Sequence, residues 1–202
     1  MLTKAEFAQR LKNACLTVIS AEAELTEIDA KFGDADHGFT MAKVCNAIIA
    51  AIEDSDGGIQ TLLDDAAMAV MAINGGSAVP LWNTWLDGMQ EGASEADETD
   101  VSGIQAIFAR AFEELDEMSG AKVGDKTMMD ALIPASEAIA AYEGSDEAEL
   151  FRLAAAAAAA GAENSKNFPS KFGRAKSYGA KTIGTPDAGA MSMSKFFEGL
   201  AK

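Results

Sequence analysis

The sequence predicts an all-α protein, a barrel or bundle of eight antiparallel amphipathic helices with a ligand site in the loops at one end. Apolar residues recur at spacings of three and four along most of the chain, as one face of a helix requires. No segment shows the period-2 alternation of a strand. Glycine-containing loops, most of them short, separate the apolar stripes, which favours antiparallel neighbours.

The eight helices are placed by their apolar stripes and their end signals. Thr3 and Glu6 form a capping box at the first helix, and Pro80 opens the fourth. Pro134 predicts a kink or a break in the sixth helix. The alanine run 154–160 predicts a tightly packed seventh helix, because alanine has high helix propensity and lets neighbours approach closely. The stripes are, in order, Phe7–Val18, Met41–Ile52, Ile59–Val70, Leu81–Met89, Ile104–Leu115, Met128–Tyr142, Asp146–Ala160 and Met193–Leu200.

Length and composition limit the classes of protein. A chain of 202 residues, 49% of them hydrophobic, is expected to form one domain spanning residues 1–202. The formal charge of -16 argues against nucleic acids and anionic membrane surfaces as partners, because like charges repel. Cys15 and Cys45 lie in apolar stripes, as in a reduced protein. Neither a signal-peptide pattern nor a membrane-spanning run is present, so we expect a soluble, cytoplasmic protein.

The segment 28–38 holds three aspartates and the only histidine of the chain. Converging carboxylates repel one another unless they become protonated or bind a divalent cation with oxygen ligands. Thr40 is expected to cap a helix that starts near Met41, which would place backbone N–H groups where a phosphate can bind. The segment therefore predicts a magnesium or calcium site formed by Asp29, Asp34 and Asp36.

Two other interpretations of this segment remain open. In the first, it is an acidic loop in which Asp36 only caps a helix. In the second, Asp34 and Asp36 occupy the first and third ligand positions of an EF-hand calcium loop. That loop would have Cys45 at position twelve instead of a bidentate glutamate, and Gly38 at position five instead of a glycine at position six. The spacing therefore counts against the EF-hand.

Two glycine-containing loops are expected at the same end of the bundle as the aspartates. Residues 74–79 precede a proline, and their small side chains would let a phosphate reach backbone N–H groups at a helix end. In residues 120–128, either Asp125 simply caps the next helix with Lys126 in solvent, or Met128 rests on a base. Taken singly, such a loop is more often a plain helix connection.

The fourth loop is a local exception in a strongly acidic chain. Residues 165–185 contain no acidic residue, and five of the sixteen cations fall there: Lys166, Lys171, Arg174, Lys176 and Lys181. Arg174 is the best candidate to contact a phosphate, because a guanidinium offers a fixed fork to two oxygens. Asp187 follows as a cap of the last helix or as a hydrogen-bond acceptor for a ligand.

Four motifs in this order carry a resemblance to a known family. They are Gly33-Asp34-Ala35-Asp36-His37-Gly38; Gly75-Gly76-Ser77 with Pro80-Leu81; Gly124-Asp125-Lys126-Thr127-Met128 with Asp130; and Gly173-Arg174-Ala175, Ile183-Gly184 and Asp187-Ala188-Gly189-Ala190. Over nearly the whole chain, this order resembles the nucleotide-binding L subunit of bacterial dihydroxyacetone kinase. No metal ligand is lost among the departures from the usual family pattern, which are Ala35, Val79, Trp82, Pro186 and Ala188.

The resemblance implies a barrel of eight antiparallel helices that binds ADP or ATP and two Mg²⁺ ions across the loops at one end. It implies that the metals are held by Asp29, Asp34 and Asp36. The phosphates would be surrounded by His37, Gly38, Phe39, Thr40, Ser77, Ala78 and Arg174. The nucleoside would be lined by Gly120, Met128, Asp187, Ala188 and Gly189. Catalytic roles would fall to His37 and Arg174.

By the same resemblance, the chain is a kinase subunit that works with a separate K subunit, which holds dihydroxyacetone or a related four-carbon ketose. The phosphoryl donor is either exchangeable ATP, or ADP that stays bound and is recharged by a phosphocarrier of the phosphoenolpyruvate-dependent phosphotransferase system. Two rivals are the nucleotide domain of a fatty-acid kinase, whose further domains would not fit in 202 residues, and a metal-binding helical module without catalysis. Whether the chain forms a homodimer is left open. Core positions, rather than a partner interface, are predicted for Trp82 and Trp85.

Overall fold

The computed structural model describes all 202 residues and consists almost wholly of helices. The α-helices are α1 (Lys4–Ser20), α2 (Glu22–Asp29), α3 (His37–Asp54), α4 (Ile59–Met71), α5 (Ala78–Gly92), α6 (Val101–Ser119), α7 (Met129–Ala140), α8 (Glu147–Asn164) and α9 (Ala188–Leu200). Two 3₁₀ helices, Ser165–Asn167 and Arg174–Thr182, lie between α8 and α9. A short antiparallel ribbon, absent from the sequence prediction, pairs β1 (Leu2–Thr3) with β2 (Glu98–Thr99).

Eight of the α-helices close into a ring. Helix α1 packs against α3, and each helix from α3 to α8 packs against the next one in the sequence. Helix α9 then packs against α1, which completes the ring. The predicted all-α barrel of eight antiparallel helices is therefore confirmed, with α2 as an additional helix against α3. The loops that precede α3, α5, α7 and α9 share one end of the ring, where all four line one cavity.

The first helical stretch differs from its prediction in one respect. Its start is the predicted capping box, in which the Thr3 hydroxyl accepts from the Glu6 N–H and the Glu6 carboxylate accepts from the Thr3 N–H. At Ala21, however, helix α1 ends and the chain continues as the separate helix α2. The sequence has no glycine or proline near this position that would have marked the end of α1. Asp29 is the last residue of α2 rather than a loop residue.

Two helices differ from the sequence prediction, one in its start and one in its continuity. Helix α3 begins at His37, not near Met41, so Thr40 is a buried residue of its first turn and does not cap it. Helix α7 runs through Pro134 without a break. Proline has no N–H to give to the carbonyl four residues earlier, that of Asp130. Gly161 of α8 lies against this carbonyl so closely that a Cβ there would be 2.0 Å from the oxygen.

The ring encloses a hydrophobic core with an aromatic centre. The side chains of Trp82 and Trp85 are 1% and 0% exposed, which confirms their predicted core positions. Phe196 of α9 contacts both indoles, with ring centroids 5.2 and 5.4 Å away. Both cysteines are buried and free. On the predicted alanine helix, every fourth residue is buried, namely Ala154, Ala158 and Ala162, so α8 packs closely as expected.

None of the helices combines the length and the apolar character that a membrane crossing requires.

Candidate functional site

The aspartate segment folds into a compact turn between α2 and α3. Carboxylate oxygens of Asp29, Asp34 and Asp36 all lie within 4.8 Å of one another. Gly33 makes this possible, because a Cβ at that position would be 2.0 Å from an Asp29 carboxylate oxygen. Ala35 adopts a left-handed φ of 61°, a conformation that glycine adopts more easily. The turn therefore brings the three predicted metal ligands together.

The chemistry of this cluster fits a hard divalent cation. It offers only oxygen donors, and the Asp34 and Asp36 residues are exposed, so a cation could reach them. One oxygen of Asp29 is already oriented by the backbone N–H groups of Asp36 (3.1 Å) and His37 (3.4 Å). That arrangement leaves the second Asp29 oxygen for a metal. Of the three converging negative charges only that of Asp34 is paired, with Arg174 at 2.8 Å, so a cation would also stabilise the cluster.

Both alternatives for the segment disagree with its structure. The Asp36 side chain makes no capping hydrogen bond to α3, so this carboxylate is not merely a helix cap. An EF-hand loop would extend from Asp34 to Cys45, but residues 37–45 belong to helix α3. The calcium-loop interpretation is therefore wrong.

A cavity of about 500 Å³ lies beside the aspartates, and all four predicted loops contribute to its wall. Its size is in the range of pockets that hold small molecules and cofactors. Most of the predicted site residues line it: Asp29, Asp34, Asp36, His37, Thr40, Ser77, Ala78, Met128, Arg174, Asp187, Ala188 and Gly189. The remaining three, Gly38, Phe39 and Gly120, are not part of the wall. Gly38 is buried between helices, and Phe39 is 54% exposed with the Lys43 ammonium over its ring.

One side of the cavity, called the metal side after its predicted ligands, combines the aspartate turn with the basic segment 165–185. Arg174 begins the second 3₁₀ helix, and its guanidinium is 2.8 Å from an Asp34 oxygen. A second contact joins the same two segments, since the rings of Phe32 and Tyr178 lie 5.3 Å apart. The first residues of α5, which follow Ser77, face the cavity at the positive end of the helix dipole. Cationic and N–H groups thus lie near the carboxylates, as a metal–phosphate complex requires.

His37 faces the cavity from the first turn of α3. Its Nε2 atom lies 3.1 Å from the Ser192 hydroxyl of α9, which also bonds to the Gly189 carbonyl. Burial lowers the pKa of His37 below its usual value, although the nearby carboxylates of Asp29 and Asp36 act in the opposite direction. The imidazole is therefore neutral at pH 7, and it can exchange hydrogen bonds but does not supply a positive charge.

The opposite side of the cavity is formed by residues 120–128 and the turn before α9. Asp187 caps α9, since its carboxylate accepts the Ala190 N–H at 2.8 Å. Although the residue as a whole is half-buried, its carboxyl group is enclosed by protein. This burial raises the pKa of Asp187 to about 7, with Asp130 contributing in the same direction and Lys126 against it.

The interpretation of the loop 120–128 as a plain connection, with Asp125 as a cap and Lys126 in solvent, is wrong. Lys126 is not in solvent; it is 4% exposed and bonds to backbone carbonyls inside the protein. Asp125 does not cap α7, because its carboxylate instead pairs with Lys171 (2.6 Å) and accepts the Lys122 N–H. These two bonds hold the pKa of Asp125 below its usual value. At this helix start, the Met129 N–H donates to the Thr127 hydroxyl (3.2 Å), and Asp130 accepts the Thr127 N–H at 2.7 Å.

Several residues of the cavity wall were beyond sequence reasoning. Apolar side chains outside the predicted stripes also line the cavity: Phe32 and Phe172 from loops, and Met118 from the last turn of α6. Ser192 looks like an ordinary small residue of the last helix, and only the fold brings it to His37. Lys126 also lines the cavity, and it is the one unpredicted wall residue that the sequence could have indicated, because it lies inside a motif that carries the resemblance.

The fold and the cavity together define a class of protein. Residues 31–202 match the family described as the DAK2 domain, so the chain belongs to this family. The ADP-binding subunit DhaL of the PEP-dependent dihydroxyacetone kinase of Escherichia coli is 28% identical over 193 residues, which cover 93% of this chain and 91% of that subunit. The resemblance predicted from the four motifs is confirmed.

Larger relatives contain the same unit. The D-erythrulose kinase of Mycolicibacterium smegmatis is 36% identical over 179 residues, which cover 86% of this chain and 31% of that kinase. A crystal structure of the dihydroxyacetone kinase from C. freundii in complex with AMP-PNP and Mg²⁺ matches with a TM-score of 0.70 at 25% identity, over 98% of this chain and 33% of that chain. The chain thus spans about a third of the erythrulose kinases that it matches.

Proposed function

We propose that this chain binds a magnesium complex of ADP or ATP and transfers a phosphoryl group to a short-chain ketose held by a K-type partner. The observation that carries the proposal is the cluster of Asp29, Asp34 and Asp36 in the wall of a cavity shared by four loops. Membership of the DAK2 domain family supports it, because relatives include an ADP-binding kinase subunit and several ketose kinases.

The aspartates would hold two Mg²⁺ ions. Their carboxylate oxygens converge within 4.8 Å, and each carboxylate can bridge two hard cations. Bound Mg²⁺ would neutralise charge on the phosphates and stabilise the loose transition state of phosphoryl transfer. The contribution of the protein is to orient the carboxylates, as the backbone N–H groups of Asp36 and His37 do for Asp29.

The phosphates would lie between the aspartate turn and the basic segment. We assign their binding to the first turns of α3 and α5 and to Arg174, with the residues His37, Gly38, Phe39, Thr40, Ser77 and Ala78. Arg174 would offset charge on the transferring group, and the neutral His37 would hydrogen-bond to it. In-line transfer between bound phosphate and ketose needs no protein nucleophile.

The nucleoside would lie against the opposite wall, near Gly120, Met128 and the turn Asp187–Gly189. With a nucleotide in the cavity, the ketose has to be presented from outside by another protein or domain, because the reacting atoms must approach closely. Dihydroxyacetone and erythrulose are both candidate acceptors, since relatives named for each are similar to this chain. The donor would be either exchangeable ATP or retained ADP that a phosphotransferase-system carrier recharges.

Native mass spectrometry of the purified chain in magnesium buffer tests the binding step. Retained ADP would appear as a mass increment of one ADP with two Mg²⁺ ions and would favour the recharged-cofactor route. A bare chain that binds added Mg·ATP would favour exchange. A chain that binds neither nucleotide in the presence of Mg²⁺ would contradict the proposed function.

Replacement of a single ligand tests the metal assignment. Asp36→Ala should weaken Mg²⁺-dependent nucleotide binding by about a hundredfold or more, because a charge-assisted ligand is lost. Asp54→Ala is the matched control, since Asp54 is an exposed acid at the other end of the same helix. Equal nucleotide affinity in both variants, measured by isothermal titration calorimetry, would remove the metal site from the proposal.

A further inference from the structure

Lys126 is a buried lysine in an acidic protein, and its backbone is strained. The residue is 4% exposed and has a φ of 62°, in the left-handed region that residues other than glycine rarely adopt. Lysine is seldom buried unless its ammonium is paired or hydrogen-bonded. Backbone strain that persists inside a folded protein is concentrated at functional sites. These two features justify asking what the ammonium does.

The ammonium joins three segments of the cavity wall. Its Nζ atom donates to the Ser165 carbonyl (2.8 Å), at the end of α8, and to the Thr185 carbonyl (2.5 Å), in the turn before α9. Lys126 itself belongs to the loop 120–128. A hydrogen bond from the Asp187 N–H to the Ser165 hydroxyl (2.9 Å) strengthens the same junction.

Charge also ties Lys126 to this wall. The carboxyl groups of Asp130 and Asp187, neither within salt-bridge distance of the ammonium, both act to raise the pKa of Lys126 against the lowering effect of burial. Asp130 in turn accepts the N–H groups of Gly124 and Thr127, each at 2.7 Å, so it fixes the loop on both sides of Lys126. Lys126 is thus the cationic centre of a buried polar network.

The network supports the surface that would receive the nucleoside. Met128 and the turn 187–189 both line the cavity, and they touch each other, since a Cβ on Gly189 would lie 3.3 Å from the Met128 nitrogen. Lys126 makes no hydrogen bond to the aspartate turn or to Arg174 on the metal side. Its influence should therefore be confined to one part of a bound nucleotide.

We propose that Lys126 is a positioning residue for the nucleoside: its ammonium holds the turn before α9 against the loop 120–128 and so shapes the nucleoside pocket. The proposal rests on the proposed function, since it requires that a nucleotide binds in this cavity.

Two ligands that differ only in the nucleoside test this role. Isothermal titration calorimetry is used to measure binding of Mg·ADP and of magnesium pyrophosphate to the full chain and to Lys126→Met, which keeps the stem but removes the charge. Mg·ADP binding is expected to weaken by about tenfold, and pyrophosphate binding to change by less than about twofold. The control is Lys122→Met, which alters an exposed lysine of the same loop and should leave both affinities unchanged.

A second variant separates the ammonium from the fold. Lys126→Gly removes the side chain but relieves the left-handed backbone, so it should remain folded even if Lys126→Met does not. It is expected to show the same selective loss of Mg·ADP binding. Equal weakening of both ligands would mean a general structural role, and undiminished Mg·ADP binding would mean no role; either result overturns the inference. If the unaltered chain fails to bind Mg·ADP, the proposed function itself falls.

Discussion

The two sides of the cavity are stabilised in opposite ways. On the metal side, three carboxylates converge, two of them on exposed residues, and the Asp36 carboxylate makes no hydrogen bond to the chain. On the nucleoside side, hydrogen bonds join Lys126 to Ser165 and Ser165 to Asp187, and the buried Asp130 accepts two N–H groups of the loop 120–128. The first side leaves carboxylate oxygens free for a ligand, whereas the second uses its polar groups to join segments of the protein. Loss of a hydrogen bond on the second side should therefore destabilise the free protein, whereas loss of a charge on the first should stabilise it.

The largest effect on stability is expected from Asp187→Asn. The folded chain holds the pKa of Asp187 at about 7, above the usual 3.8, so it binds more protons than the unfolded chain between these values. The unfolding free energy of the unaltered protein should therefore lose a contribution as pH rises from 4 to 7, and the cost remains above pH 7. Asparagine does not titrate but can still cap α9. The variant should gain stability relative to the parent across this window, up to on the order of 4 kcal/mol.

Urea denaturation of both proteins at several pH values between 4.5 and 8 measures this difference. A gap that widens with pH and becomes constant above 7 is the expected result. Parallel curves would instead mean that the ammonium of Lys126 keeps Asp187 ionised throughout the range.

A smaller effect is expected from Ser165→Ala. The Ser165 hydroxyl accepts the Asp187 N–H and is completely buried, so its loss leaves a backbone donor without a partner. The free energy of unfolding should fall by about 1–2 kcal/mol. Ser177→Ala is a matched control. Like the Ser165 hydroxyl, which donates to the Ala162 carbonyl, the Ser177 hydroxyl donates to a backbone carbonyl, but Ser177 is exposed. Its loss should lower the free energy of unfolding by less than about 0.5 kcal/mol. Equal values from urea denaturation would show that the wall does not depend on this network.

The smallest effect, opposite in sign to that of Ser165→Ala, is expected from Asp36→Asn in the absence of metal. The substitution removes one of three like charges and breaks no side-chain hydrogen bond, so the free energy of unfolding should rise by about 0.5 kcal/mol. Thermal or urea denaturation in a chelating buffer measures it. A loss of more than about 1 kcal/mol would show that Asp36 supports the free fold, and the contrast between the two sides would disappear.

The sequence was sufficient for the features that depend on local pattern. Apolar stripes located the eight helices of the ring, the Thr3–Glu6 capping box marked the start of α1, and three crowded aspartates indicated the acidic cluster. Each of these signals lies within one helix or one turn. The order of four loop motifs then supplied the family, which no single motif could do.

What could not be predicted depends on contacts between distant segments. Helix α3 starts at His37, where the Asp29 carboxylate accepts the N–H groups of Asp36 and His37. This contact requires the turn at Gly33. Lys126 follows a glycine and an aspartate, a pattern typical of an exposed loop, yet it is buried because carbonyls 39 and 59 residues away meet its ammonium. Helix α7 passes through Pro134, and the carbonyl of Asp130, which Pro134 leaves without its helical donor, lies against Gly161 of α8.

The position of Trp82 gives the barrel a built-in optical label. Its indole belongs to the aromatic centre, in edge contact with Trp85 and Phe196, and it also forms part of the cavity wall. The chain has no tryptophan outside this pair. Ultraviolet emission of the unmodified protein therefore arises beside the cavity, so a molecule that enters it alters the surroundings of an emitting group. Occupancy can be followed in real time without attaching a dye.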